Sequence, residues 1–384
     1  MRKLLVPLLI LLPFVVAAES PPLGLPPIPI PKDNPQTPEK IALGDRLFHD
    51  IRFSTTGEVS CSTCHEREKT FTDSPLVVSE GINKLKGTRN APTVVNSAYN
   101  KTQFWDGRSP SLEDQSQHPF VNPVEMGLKS HQPILDIIAK DDAYQKAFKQ
   151  VFGVSGKAVT MEHVKKAIAS FERTVISGNS RFDRWYFGGE KDALNEQEKR
   201  GFQVFLNQGR CVSCHTIEQN FALFTDQKFH DIGVGINDLT EQKIEKLSQA
   251  FQRAKAKGVD VDVAVLTDKD TSDLGRFAIT DELSDMGGFK TSTLRNIAET
   301  APYMHDGSID NLRDVVVHYN NGGALKKDTK ITPYLSGGIR PLGLTDQQID
   351  DLVAFMETLT SPEFAGKGKE KGMGAGKKSA KSKE

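Results

Sequence analysis

Two pentapeptides carry the chemistry of this chain: Cys61-Ser62-Thr63-Cys64-His65 and Cys211-Val212-Ser213-Cys214-His215, which together hold all four cysteines. In each, two thiols three positions apart can add to the two vinyl groups of one porphyrin, and the adjoining imidazole then lies beneath the iron as its proximal ligand. A single such pentapeptide could equally be a redox disulfide or half of a zinc site. Those alternatives fail on count, because no further cysteine completes a zinc site and no thioredoxin-like βαβ pattern surrounds either pair. The expectation is two covalently bound haems c with His65 and His215 as proximal ligands. What occupies the far axial face of each iron then separates electron transfer from catalysis.

The elements that must hold these motifs read as helices. Apolar residues recur at three- and four-residue spacing over Ile134 to Phe152, Met161 to Val175, Glu196 to Phe205, Leu239 to Ala256, Asn311 to Tyr319 and Asp346 to Leu359. Thr345-Asp346 offers an N-cap to the last, and Thr360-Ser361-Pro362 ends it. Strand signals are few and short, so the class is mainly α with long Gly/Pro/Asn loops. An internal repeat is visible: Gly44-x-x-Leu47-Phe48 precedes the first cysteine pair and Gly201-x-x-Val204-Phe205 the second, with Cys61 and Cys211 150 positions apart. Two related cytochrome c-like haem domains are expected, at 41–180 and 181–363. A charge-rich segment from Asn237 to Thr271 reads as an insertion, either a solvated helix or a docking element.

The ends have other tasks. Residues 1–18 combine Arg2-Lys3, an apolar run from Leu4 to Val16 and a small-residue Ala17-Ala18 site, the pattern of a secretory signal that directs the chain to the periplasm. The run is broken by prolines and shorter than the roughly 20 residues a membrane span needs. Residues 19–40 form a proline-rich arm expected to lie extended on the body or link to it. Residues 364–384, with seven lysines against two glutamates, lack the apolar content to fold and are expected to be a disordered tail. With 49 basic and 50 acidic side chains in 384 residues and 37% apolar content, the chain is neither a collagen-like fibre nor a polytopic membrane protein. Setting the tail and leader aside leaves a moderately acidic body, which argues against nucleic acid as a partner.

Around both haem motifs the chain resembles the bacterial dihaem cytochrome c peroxidase superfamily. The resemblance rests on Arg89-Asn90-Ala91-Pro92-Thr93, on Phe104-Trp105-Asp106-Gly107-Arg108, and on Leu112, Gln115, Pro119 and Asn122 to Gly127. Leu294-Arg295-Asn296 and Thr300-Ala301-Pro302-Tyr303-Met304-His305-Asp306-Gly307 complete it, over roughly Ile41 to Leu359. It implies that Gln115 and Glu125 sit in the distal pocket of the N-terminal, peroxide-reacting haem. There a carboxylate can take a proton from peroxide and return it to the departing oxygen, while an amide orients the oxidant. It also implies that Trp105 lies between the haems, and that Asn90, Thr300 and Pro302 offer calcium hard oxygen ligands between the domains.

Two departures refine the resemblance. Other members place a removable distal histidine where this chain has Gly81, and no histidine lies between His65 and His118, so the N-terminal iron is expected to be open. Classical members also place a methionine fourteen residues beyond the histidine of the His-Asp-Gly turn, where this chain has Tyr319. Both resemble the MauG-like and MbnH-like branch, whose second haem has His/Tyr ligation. A phenolate stabilises ferric iron, which favours Tyr319 over the competing Met304. The expected activity is oxidation of a partner protein, at tryptophan, by a peroxide-generated high-valent state of bis-ferryl type. The alternatives are a cytochrome c peroxidase reducing hydrogen peroxide with electrons from a small cytochrome c or copper protein, and a non-catalytic electron carrier with both irons six-coordinate.

Overall fold

The computed structural model describes residues 20–366. The leader and the residues beyond 366 lie outside them. The described chain is mainly helical, with one two-stranded antiparallel sheet pairing Phe229 with Lys290 and His230 with Phe289. Among the described residues no helix is long and apolar enough to cross a membrane.

Each half is organised by one helix pair. The helix Pro38–Phe48 is N-capped by Thr37, carries Pro at its first turn and buries Leu43, Leu47 and Phe48. It packs on Met161–Glu172, whose Val164, Ala167 and Ile168 are fully buried. In the second half Glu196–Leu206 packs in the same way on Asp346–Glu357. The repeated glycines explain the closeness of both crossings. A Cβ on Gly44 would collide with the carbonyl of Ala167, and one on Gly201 with the carbonyl of Asp351. Two core clusters result, one running from Leu43 to Val175 and the other from Phe182 to Leu359.

Three sequence expectations need adjusting, and the arm lies on the body. The pattern from Ile134 to Phe152 is two helices, Gln132–Lys140 and Asp142–Phe152, because the Asp141 carboxylate accepts the backbone N–H groups of Ala143 and Tyr144 and starts a new helix. The inserted segment is not merely a solvated helix. Its helices Glu241–Ala256 and Val261–Thr267 bury Ile244, Phe251, Val265 and Leu266 in a third core cluster, against which Val124 of the N-terminal half packs. The arm is a strap that bonds to both halves. The Gly24 carbonyl accepts from Ala222 N and Arg295 Nη2, while that of Pro26 accepts from the Tyr99 hydroxyl. Finally, Phe364, placed in the expected tail, is 1% exposed and sits in the N-terminal core cluster, where its burial outweighs the polarity of its neighbours, while the expected tail beyond 366 lies outside the described residues.

Candidate functional site

The two attachment motifs share one local design. Cys61–Cys64 is a single helical turn, with Ser60 N donating to Thr63 Oγ1 at 3.0 Å, and Cys211–Ser213 is a 3₁₀ turn. In both, the histidine N–H closes onto the carbonyl of the first cysteine, from His65 to Cys61 at 3.1 Å and from His215 to Cys211 at 2.9 Å. His65 Nδ1 lies 3.2 Å from the Phe71 carbonyl and His215 Nδ1 2.8 Å from that of Phe224. An Nδ1–H donated there leaves Nε2 free for a metal and fixes the ring plane. Both phenylalanines take left-handed backbone, φ 54° and 52°, and threonine hydroxyls hold the residue before each: Thr93 on Thr70 at 2.6 Å, Thr293 on Leu223 at 2.8 Å. Burial lowers the pKa of both imidazoles and keeps them neutral, as metal ligation requires. The four thiols form no disulfide.

The second motif opens into a cavity of about 720 Å³, and its walls bring together most of the residues singled out in the sequence: Trp105, Asn90, Thr300, Pro302, Met304 and Tyr319, beside Cys211, Cys214 and His215. The volume suits a cofactor. The chemistry suits a porphyrin: apolar walls from Leu312, Val316 and Leu352, and the cations Arg210, Lys290 and Arg340, none ion-paired to an acid among the described residues, available to its carboxylates.

Tyr319 projects from the helix Leu312–Asn320, which Asn311 caps by accepting from Asp314 N. Burial pushes its phenol pKa up, with the Cys211 and Cys214 sulfurs among the groups acting on it. Its hydroxyl has no hydrogen-bond partner among the described residues, so it is available to a metal. Met304 lines the same cavity but sits in a turn at φ 75°. That turn repeats one in the first half: Gln103 bridges Ser109 as Tyr303 bridges Ile309, and Phe104, the counterpart of Met304, has φ 65°. Phe104 serves as packing there, under the Arg108 guanidinium at 3.5 Å. Met304 in the same backbone slot packs against the second core cluster.

In this repeat Trp105 corresponds to His305. The Trp105 Nε1–H donates to the Asn90 carbonyl at 2.9 Å, and Asn90 N donates to the His305 carbonyl at 2.8 Å, so Asn90 joins the two turns. The Asn90 side chain gives its N–H groups to the Leu76 and Val77 carbonyls, leaving Oδ1 unused. No hydrogen bond is accepted by the carbonyls of Thr300 or Pro302 among the described residues. Three hard oxygens on residues that line the cavity thus accept no hydrogen bond among the described residues.

Gln115 and Glu125 do not line that cavity, and Glu125 lies at the first motif. Glu125 is positioned by its backbone: its N–H donates to Asn122 O at 3.2 Å and its carbonyl accepts from Ile82 N at 2.8 Å. Burial raises its carboxyl pKa to about 7, the nearby Asp262 charge adding to this and Arg108 opposing it. It acts in turn on the Cys61 and Cys64 thiols, which places it at the first attachment site. Gln115 closes the short helix Leu112–Gln115 and its amide makes no hydrogen bond among the described residues. Gly81 packs so tightly on this loop that a Cβ would collide with the Val124 and Glu125 carbonyls, leaving no room for a side chain there.

A model of the di-haem cytochrome c peroxidases matches residues 38–192. The chain is 36% identical over 351 residues to the cytochrome-c peroxidase IdrP1 of Denitromonas iodatirespirans, covering 90% of this chain and 88% of the relative. The chain belongs to the di-haem cytochrome c peroxidase family. It is also 35% identical over 340 residues to the methylamine utilization protein MauG of Methylorubrum extorquens, covering 88% and 83% of the two chains. A solved MauG-like protein associated with microbial copper homeostasis superposes with a TM-score of 0.72 at 30% identity, over 91% of this chain and 99% of its own. As a di-haem peroxidase of this family, with MauG-like relatives, the protein is an oxidoreductase that acts on peroxide, carries two haems c and exchanges electrons with a redox partner. Sequence reasoning assigned no part to Asp262, because nothing in its spacing points across the 154 positions that separate it from Arg108.

Proposed function

We propose that this di-haem peroxidase is a periplasmic MauG-like enzyme that directs the oxidising equivalents of hydrogen peroxide to a tryptophan of a partner protein. The observation carrying this reading is Tyr319, a half-buried phenol with an unpartnered hydroxyl among the described residues, lining the cavity beside His215. When bound, the haems supply the redox chemistry, Cys61, Cys64 and His65 holding one and Cys211, Cys214, His215 and Tyr319 the other. Glu125, with a pKa of about 7, takes the proton of the incoming peroxide on its carboxylate and returns it to the departing oxygen. Gln115 orients the oxidant with its free amide. Trp105, its indole held by Asn90, occupies the wall through which charge passes between the two sites. Asn90 Oδ1 and the carbonyls of Thr300 and Pro302 form a calcium site that ties the halves together. The signal-like leader and the thioether chemistry of an exported cytochrome support the periplasm.

The test is spectroscopic. Peroxide added to the diferric protein, without prior reduction, is expected to change the optical spectra of both haems, and Tyr319→Phe to alter the electron paramagnetic resonance of the second haem alone. A reaction that needs one haem reduced first would falsify this reading. A cytochrome c peroxidase is the second reading, favoured by Met304 in the same cavity and by the relatives of that name. Rapid turnover with reduced cytochrome c and an unchanged second haem in Tyr319→Phe would favour it.

A further inference from the structure

We infer that Asp262 is a positioning residue for the peroxide reaction: the inserted segment delivers it to the loop of Glu125, where it holds Arg108 and Asn122 and through them the place and charge surroundings of that carboxylate. The inference rests on the proposed role of Glu125 and extends it to a segment of the chain that had none.

The segment belongs to the second half of the sequence but folds back over the first. Asp260 caps the helix Val261–Thr267, accepting from Asp262 N and Val263 N, and so sets Asp262 on its first turn. Asp262 Oδ1 receives Arg108 Nε at 2.8 Å and Nη2 at 2.7 Å; Oδ2 receives Asn122 Nδ2 at 2.9 Å. Asn122 is fully buried and organises the loop: its Oδ1 accepts from Val124 N, and its carbonyl from Glu125 N and Gly127 N. One carboxylate therefore governs, two bonds away, the backbone that carries Glu125.

The charges are balanced and dry. Arg108 also bonds both oxygens of Asp106, at 3.0 and 3.1 Å, and Asp106 pairs with Arg89, so two buried arginines face two buried aspartates. Arg89 in turn donates to the Ser272 hydroxyl at 2.9 Å and the Thr88 hydroxyl to the Val265 carbonyl at 2.7 Å, fastening the segment at two further points. The charged groups acting on Glu125 are Asp262 and Arg108, with opposite signs; the Cys61 and Cys64 sulfurs nearby are uncharged once joined to haem. Neutralising Asp262 removes a repulsive neighbour and leaves the Arg108 charge less compensated. Both changes favour the ionised form of Glu125.

The experiment measures the rate of the peroxide reaction against pH in the full-length di-haem protein. Asp262→Asn is expected to move the limb governed by Glu125 to lower pH by about one unit, and Asp262→Glu, which keeps the charge, to leave it in place. Ser272→Ala removes a bond of the same docked segment without changing charge and is expected to leave the limb unmoved. If Asp262→Asn does not fold, Asp262→Ser, which leaves room for water beside Arg108, supplies the comparison. An unmoved limb in the neutral variant, or an equal shift in Ser272→Ala, overturns the inference. Glu125→Gln separates the two levels: if the limb survives in it, the role of Glu125 itself fails; if the limb disappears in it yet stays fixed in Asp262→Asn, only the part of Asp262 fails.

Discussion

In the proposed mechanism a single carboxyl sets the pH behaviour of the reaction. Glu125 titrates near pH 7 because burial penalises its charged form and Asp262 repels it more than Arg108 attracts it. A base must be ionised to accept a proton, so the rate of the peroxide reaction is expected to rise with pH through about 7. Glu125→Gln should lose that limb and react about a hundredfold more slowly, as stopped-flow mixing with peroxide would show. The same shift carries a stability consequence of opposite sense. The folded-state pKa lies above the ordinary value of 4.5, so its contribution is fully present below that value and is lost as pH rises through about 7. Thermal melts of Glu125→Gln should therefore show a weaker decline in stability between those limits than the wild type.

At the scale of elements, the two haem motifs are hung on helix pairs whose crossings depend on one glycine each. Gly201 lies against the backbone of Asp351 and the Phe355 side chain, and an added methyl has no space to enter. Gly201→Ala is expected to cost about 1–3 kcal/mol through overpacking, read as a lowered denaturation midpoint. Gly337, which has no neighbour within 4 Å of a built Cβ, should accept alanine without such a loss. The helices were largely legible from periodicity, since Met161–Glu172, Glu196–Leu206 and Asp346–Glu357 each bury one continuous apolar face. The break at Asp141 was hidden because both flanking helices continue the same apolar spacing, and only the side-chain cap divides them. The turn at Met304 was legible, but its repeat at Phe104 was hidden for another reason: left-handed backbone at non-glycine residues leaves no compositional mark.

Across the whole molecule, the halves are joined by elements that reach from one to the other. The N-terminal strap, the inserted segment and Phe364 each cross from one to the other. The proposed calcium site does the same, taking Asn90 from the first half and Thr300 and Pro302 from the second, next to Trp105. Chelation is expected to disturb the electron paramagnetic resonance of both haems and slow charge exchange between them, with calcium restoring both. Asn90→Ala should mimic the chelated state; insensitivity of the haems to both treatments would remove calcium from the proposal. The covalent chemistry was determined by the sequence alone, because C-x-x-C-H places two thiols and an imidazole within one helical turn wherever it folds. Mainly α structure followed equally from local periodicity. Tyr319, Asn90, Trp105 and Pro302 were already candidates through the resemblance, and the tertiary structure adds that they line one cavity, while the hold of Asp262 on the Glu125 loop is visible in the tertiary structure alone. Each joins residues from distant parts of the chain through burial and charge, and such contacts leave no periodic trace in the order of residues.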